Sequence, residues 1–162
     1  MRSELQELID ECTAEIKDIE NHIAAMSFGD KRIRYLTHYA LMKASGITEF
    51  VYRSIVVNHF STLSNSRIDT YLDTAVRRGP MSVKYEVMQK LLEKFDEQWK
   101  KNFQQAVNAR QDKNKLIDAS NSLVSNRHHF AHGGIPTATF NDIKNYYFDV
   151  LELIKILDSV VC

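Results

Sequence analysis

Ser125-Asn126-Arg127-His128-His129-Phe130-Ala131-His132-Gly133-Gly134 puts one arginine, three imidazoles and two glycines into ten positions. Three chemistries suit such a cluster. The last turn of a helix carries partial negative charge on its free carbonyls and favours cations, so these residues serve simply as a polar helix end. His128 and His132, four apart, share a helical face at a spacing that chelates zinc, although two ligands do not complete a site and no acid stands beside them. The third chemistry is proton transfer on a phosphodiester. Histidine titrates nearest neutrality and can both take and give a proton, while arginine presents a charged planar fork to phosphate oxygens. RNA cleavage needs a base for the 2′-hydroxyl, an acid for the leaving 5′ oxygen and a fixed cation for the charge that builds on phosphorus.

Spacing constrains the third reading. Arg127 and His132 are five apart, so a regular helix turns them about 140° from each other. Either the helix unwinds ahead of Gly133, or two copies meet and each site draws on both motifs, as a twofold axis allows.

The elements that must position these residues are helices. Leu5, Leu8, Cys12, Ile16, Ile19, Ile23 and Met26 recur at three- and four-residue steps, which predicts a first helix with Ser3 as N-cap and an end at Gly29. A second helix is expected over 31–63, with Leu36, Tyr39, Ala40, Phe50, Val51, Ile55 and Val57 inward and Gly46 as a weak point. A polar break at 61–66, a short helix to the "RRGP" turn, and helices over 82–95 and 96–107 follow. Residues 64–107 read as an inserted set of short helices. The next helix is expected over 112–131, stopped by Gly133-Gly134-Ile135-Pro136. Thr139 and Asp142 form a candidate capping box for the last helix. With five glycines, two prolines and no strand-like alternation, the fold class is all-α: a single-domain antiparallel bundle of four or five main helices.

Lys plus Arg and Asp plus Glu both number 21, so nucleic acid would have to be held at a local patch, such as Arg77-Arg78 or Arg127, and not by an overall basic field. Cys12 and Cys162 lack metal or redox spacing and read as reduced thiols. Acids interrupt the N-terminal segment where a signal sequence needs an apolar core, and no run is long enough to span a bilayer. The expectation is a cytoplasmic protein with no membrane association.

Arg127-His128-His129-Phe130-Ala131-His132-Gly133 resembles the Arg-x(4–6)-His signature of the HEPN superfamily, with His128 in the polar position after the arginine. The glycine stop and "TFNDIKNYYFDVLELIKILD" resemble the end of such a domain, "ASGITEFVYRSIVVNHF" resembles the helix packed against it, and the likeness is to the RiboL-PSP type. The resemblance implies a helical bundle that dimerises through the motif helices and cleaves RNA without a metal or other cofactor, commonly as a toxin or in phage defence. It assigns Arg127 to the scissile phosphate, His132 to general acid–base catalysis and His128 to orienting phosphate or substrate. Gly134 stands where one toxin branch has a tyrosine modified by its partner enzyme, and His128 stands where asparagine is more usual.

Beside the motif, Glu49 either orients an imidazole or is an exposed acid paired with Arg53 at i,i+4. Asn126 either donates to phosphate or lies on the solvent face. Tyr146 could stack a base; Tyr147, Trp99 and Phe103 read as core. Three functions remain open at this point. The first is a homodimeric endoribonuclease acting on RNA. The second is a catalytically inactive module that binds RNA, nucleotide or an antitoxin-like protein partner. The third is a silent subunit of a defence complex.

Overall fold

The first apolar stripe folds into α1 (Ser3–Ala24), which buries Leu5, Ile9, Cys12, Ile16 and Ile19. The computed structural model describes residues 1–60 and 65–161; Cys162 and most of the expected break at 61–66 lie outside them. Two local expectations are corrected. Ser3 is already helical, and Arg2 holds the N-cap position without a side-chain bond. The helix stops at Ala24 and not at Gly29, which sits in the following turn at φ +85°.

α2 (Lys31–Phe60) runs through Gly46 without interruption. Its packing against α1 on one side and α7 on another outweighs the ~1 kcal/mol that an interior glycine costs. Tyr39, expected inward, is exposed, and its hydroxyl donates to the Glu15 carboxylate. The Asn65 side chain caps α3 (Ser66–Leu72) by accepting from the Arg67 and Ile68 amides at 3.1 and 3.2 Å. α3 passes into a π-helical turn, Asp73–Arg77. α4 (Tyr85–Phe95) and α5 (Glu97–Asn108) form a hairpin, with Asp96 capping α5. α6 (Lys113–Ala131) and α7 (Phe140–Val160) complete the chain.

α7 is the central element: it packs against α2, α6 and α5, while α1 lies on α2 and α4 reaches α6. The short helices are part of this core. Val83, Met88, Leu91, Leu92, Trp99, Phe103 and Val107 join the same apolar cluster as Leu41, Leu123 and Ile154. Each such large side chain, once buried, contributes about 1.5–3 kcal/mol. Tyr147 is fully buried, and its hydroxyl donates to the Ile9 carbonyl at 3.1 Å, tying α7 to α1. Burial pushes the Cys12 thiol up from its ordinary pKa, so it behaves as a small hydrophobe. Among the described residues there is no strand, and no helix is long and apolar enough to cross a membrane.

The α6–α7 connection is set by local chemistry. Gly133 adopts φ +81°, the Gly134 amide donates to the His129 carbonyl at 2.9 Å, and the Gly133 amide donates to the Phe130 carbonyl at 3.0 Å. This is a Schellman end, which satisfies carbonyls the helix would otherwise leave bare. Thr139 and Asp142 then form a reciprocal capping box: the Thr139 amide donates to the Asp142 carboxylate at 2.8 Å, and the Asp142 amide donates to the Thr139 hydroxyl at 3.2 Å. Gly133→Ala should lower unfolding stability by about 1–2 kcal/mol, the cost of a left-handed L-residue. An unchanged denaturation midpoint would show that the turn does not depend on that conformation.

Candidate functional site

Arg127 leaves α6 toward α2. Its Nη2 lies 3.8 Å from Glu49 Oε2, and its side chain is 39% accessible while that of Glu49 is 10%. Glu49 is therefore not the exposed acid of the simple i,i+4 reading. Arg53 makes main-chain bonds instead: Nε donates to the Glu49 carbonyl at 2.7 Å and Nη1 donates to the Gly79 carbonyl. Those bonds bring the loop after the π-helical turn against α2. Glu49, Arg53, Arg127, Arg78 and the 79–82 loop then line one cleft of about 340 Å³.

Three arginines and one glutamate thus line this cleft in a chain of zero formal net charge. Glu49 pays most for its position: burial raises its pKa above the ordinary carboxylate value, and Arg127 and then Arg53 pull it back only in part. Arg77 and Arg78, adjacent in sequence, separate. Arg77 is structural, donating to Asp73 at 3.0 Å and to the Asn58 side chain at 2.6 Å. Arg78 stays exposed at the cleft with its Nε 2.8 Å from Asp73.

The histidines take a different face. His128 and His132 are exposed, and their rings meet at a tilt of 57° with centroids 4.3 Å apart. Helix α6 remains regular through Ala131, with His132 at the C-cap, so it does not unwind to swing His132 toward Arg127. The His129 ring lies over Gly134, where an added Cβ would fall 2.4 Å from Nε2. His38 packs against Phe130, centroids 4.5 Å apart; burial, and secondarily Arg34, hold its imidazole below the usual range. His22 and His59 are engaged elsewhere, with the Asp18 carbonyl and the Trp99 ring. Among the described residues, no group of three or more His, Cys, Asp or Glu side chains is placed to hold a metal ion.

Asn126 does not lie openly on the solvent face. It is half-buried: its Nδ2 donates to the Ser122 carbonyl at 2.9 Å, and its Oδ1 accepts from the Thr137 and Ala138 amides, both at 3.2 Å. It braces the loop that follows the motif. Arg53 and the 79–82 wall are what sequence reasoning missed as site-forming elements. The signal available was "RRGP", where a glycine carbonyl in a tight turn can meet a cation from another element.

A family model described as RiboL-PSP-HEPN matches residues 7–162 of this chain, including the short helices. No curated protein and no solved structure matches it.

The raised pKa of Glu49 has a thermodynamic sign. The folded state binds that proton more tightly than the unfolded chain, so Glu49's contribution is most favourable below the ordinary carboxylate value and is lost as pH rises through the folded pKa. Glu49→Gln should therefore melt above the wild type at pH 7, and the gap should close on acidification toward pH ~4.3, the unperturbed glutamate value. A wild type more stable than the variant at pH 7 would show that attraction to Arg127 outweighs burial.

Proposed function

Because the chain belongs to the RiboL-PSP-HEPN family, we propose that it is a metal-independent endoribonuclease of toxin or defence type, working as a homodimer. The observation that carries this reading is the cleft lined by Arg127, Arg53, Arg78 and the acid Glu49, with the His128 and His132 rings in contact on the exposed face at the end of the same helix.

In the proposed reaction, an imidazole removes the 2′-hydroxyl proton and O2′ attacks phosphorus. The P–O5′ bond breaks, and a second imidazole protonates the departing O5′. Arg127 binds the non-bridging oxygens as charge accumulates on them. His132 supplies the acid and the base, one from each copy, and His128 orients the His132 ring. Buried Glu49 acts as a positioning residue that holds Arg127 at the mouth of the cleft. Nothing in the reaction calls for a metal, and the 2′-hydroxyl restricts the substrate to RNA.

Two copies are needed because Arg127 and His132 leave α6 on different faces. The face carrying Asn121, Ser125, His128 and His132 is exposed, and a twofold axis across it would set the histidines of one copy toward Arg127 of the other. Zero net charge favours a second reading, a module that binds RNA, nucleotide or a protein partner without cutting. The chemistry of the ends separates the two: the nuclease leaves a 2′,3′-cyclic phosphate, or a phosphate derived from it, and a 5′-hydroxyl.

Arg127→Ala and His132→Ala should each slow cleavage of single-stranded RNA by roughly 100-fold or more without changing the circular dichroism spectrum, and wild-type cleavage should persist in EDTA. Full activity in highly purified His132→Ala protein would defeat the assignment. Loss of wild-type activity on chelation would return the metal reading.

A further inference from the structure

A larger concavity lies apart from the arginine cleft. A groove of about 750 Å³ runs between the α1–α2 turn and the α6–α7 loop, within the ~300–1,000 Å³ typical of small-ligand sites. Phe28, Tyr35 and Ile135 on its rim are exposed. Lys31 and Arg34 on its α2 wall are exposed as well. Its one acid, Asp30, is already consumed: Arg32 Nη2 lies 2.6 Å from Asp30 Oδ2, and the Arg32 amide and Nε also donate to that carboxylate. Among the described residues Lys31 and Arg34 have no carboxylate partner, and the Arg34 guanidinium sits 5.6 Å from the centre of the Tyr35 ring.

The groove shares its walls with the motif. His38 lines it and packs on Phe130, between the two halves of the Arg127–His132 stretch. Ile135 and Pro136, which form the opposite wall, follow directly on the Gly133-Gly134 turn. Cations without carboxylate partners beside exposed aromatic rings match single-stranded nucleic acid: the cations track phosphates, and any base can stack on an aromatic ring. An apolar protein segment would have no use for Lys31 and Arg34.

Resting on the reading that RNA is the substrate, we infer that this groove seats one or two nucleotides of a single-stranded RNA flanking the scissile phosphate. Tyr35, and Phe28 across the groove, stack bases, and Lys31 and Arg34 hold the adjoining phosphates. The groove sets which side of the cut is gripped, so nucleotides on that side carry much of the affinity.

The test uses a fluorescein-labelled 2′-O-methyl uridine decamer, which cannot be cleaved, and reads anisotropy across a salt series. Tyr35→Ala should weaken binding by roughly five- to a hundred-fold, the range for one lost base–aromatic stack. Lys31→Gln/Arg34→Gln should reduce the slope of log K against log salt by roughly 1.4, at ~0.7 per single-strand phosphate. Both variants alter exposed side chains, and their circular dichroism and melting should match the wild type. Unchanged affinity and slope in both variants, or no binding by the wild type, would overturn the groove assignment. The nuclease reading fails separately: a wild type that binds the decamer but leaves ordinary RNA intact removes catalysis and keeps the groove. A wild type that cuts RNA while both variants bind normally does the reverse.

Discussion

Helix α6 stays helical to its last residue, and the rest of the site depends on that constraint. At 3.6 residues per turn, Arg127 must look toward α2 while His128 and His132, one turn apart, look outward together. The left-handed Gly133 and the amide of Gly134 close the helix immediately afterwards, so no unwound segment exists in which a single chain could gather the arginine and its distant histidine. Asn126 then clamps the departing loop, fixing the direction in which α7 begins.

A buried carboxylate is the second feature that a purely structural helix bundle would lack reason to keep. Glu49 sits where burial disfavours its charge and two guanidiniums only partly offset the cost. An apolar side chain there would pack without that penalty. What Glu49 provides is an anchor for Arg127 that still leaves the guanidinium about two-fifths accessible. The Arg53–Gly79 bond adds the far wall, so the short helices matter to the site as well as to the core.

Features governed by neighbours in sequence are legible in the residues alone. The Schellman stop and the Thr139–Asp142 box are written in residues three to five apart, and both form. The all-α class followed from periodicity, and the family match agrees with it. Features governed by distant contacts were not legible. Leu8 and Ile9 both turn toward the core, and the docking of α1 on α2 decides that Ile9 is the more deeply buried. Glu49 and Arg53 look like a surface pair at i,i+4, yet Arg53 is drawn off by a carbonyl 26 residues away. The short stripes within residues 64–107 find their partners on α2, α6 and α7, distant in sequence. The bracing bonds of Asn126 reach Thr137 and Ala138, beyond the glycine turn, where no local spacing announces them.

The proposed reaction draws its two imidazoles from different copies of the chain, and subunit mixing tests that most directly. Wild-type protein and an equal amount of the Arg127→Ala/His132→Ala double variant are unfolded together, refolded as a mixture and assayed on RNA. A site shared across the twofold predicts about a quarter of the cleavage given by the same total amount of wild type, because only the wild-type pairs, about a quarter of random dimers, hold both imidazoles. Cleavage at about half, as expected of copies that each work alone, with mixed dimers demonstrated by differential tagging, would contradict the account.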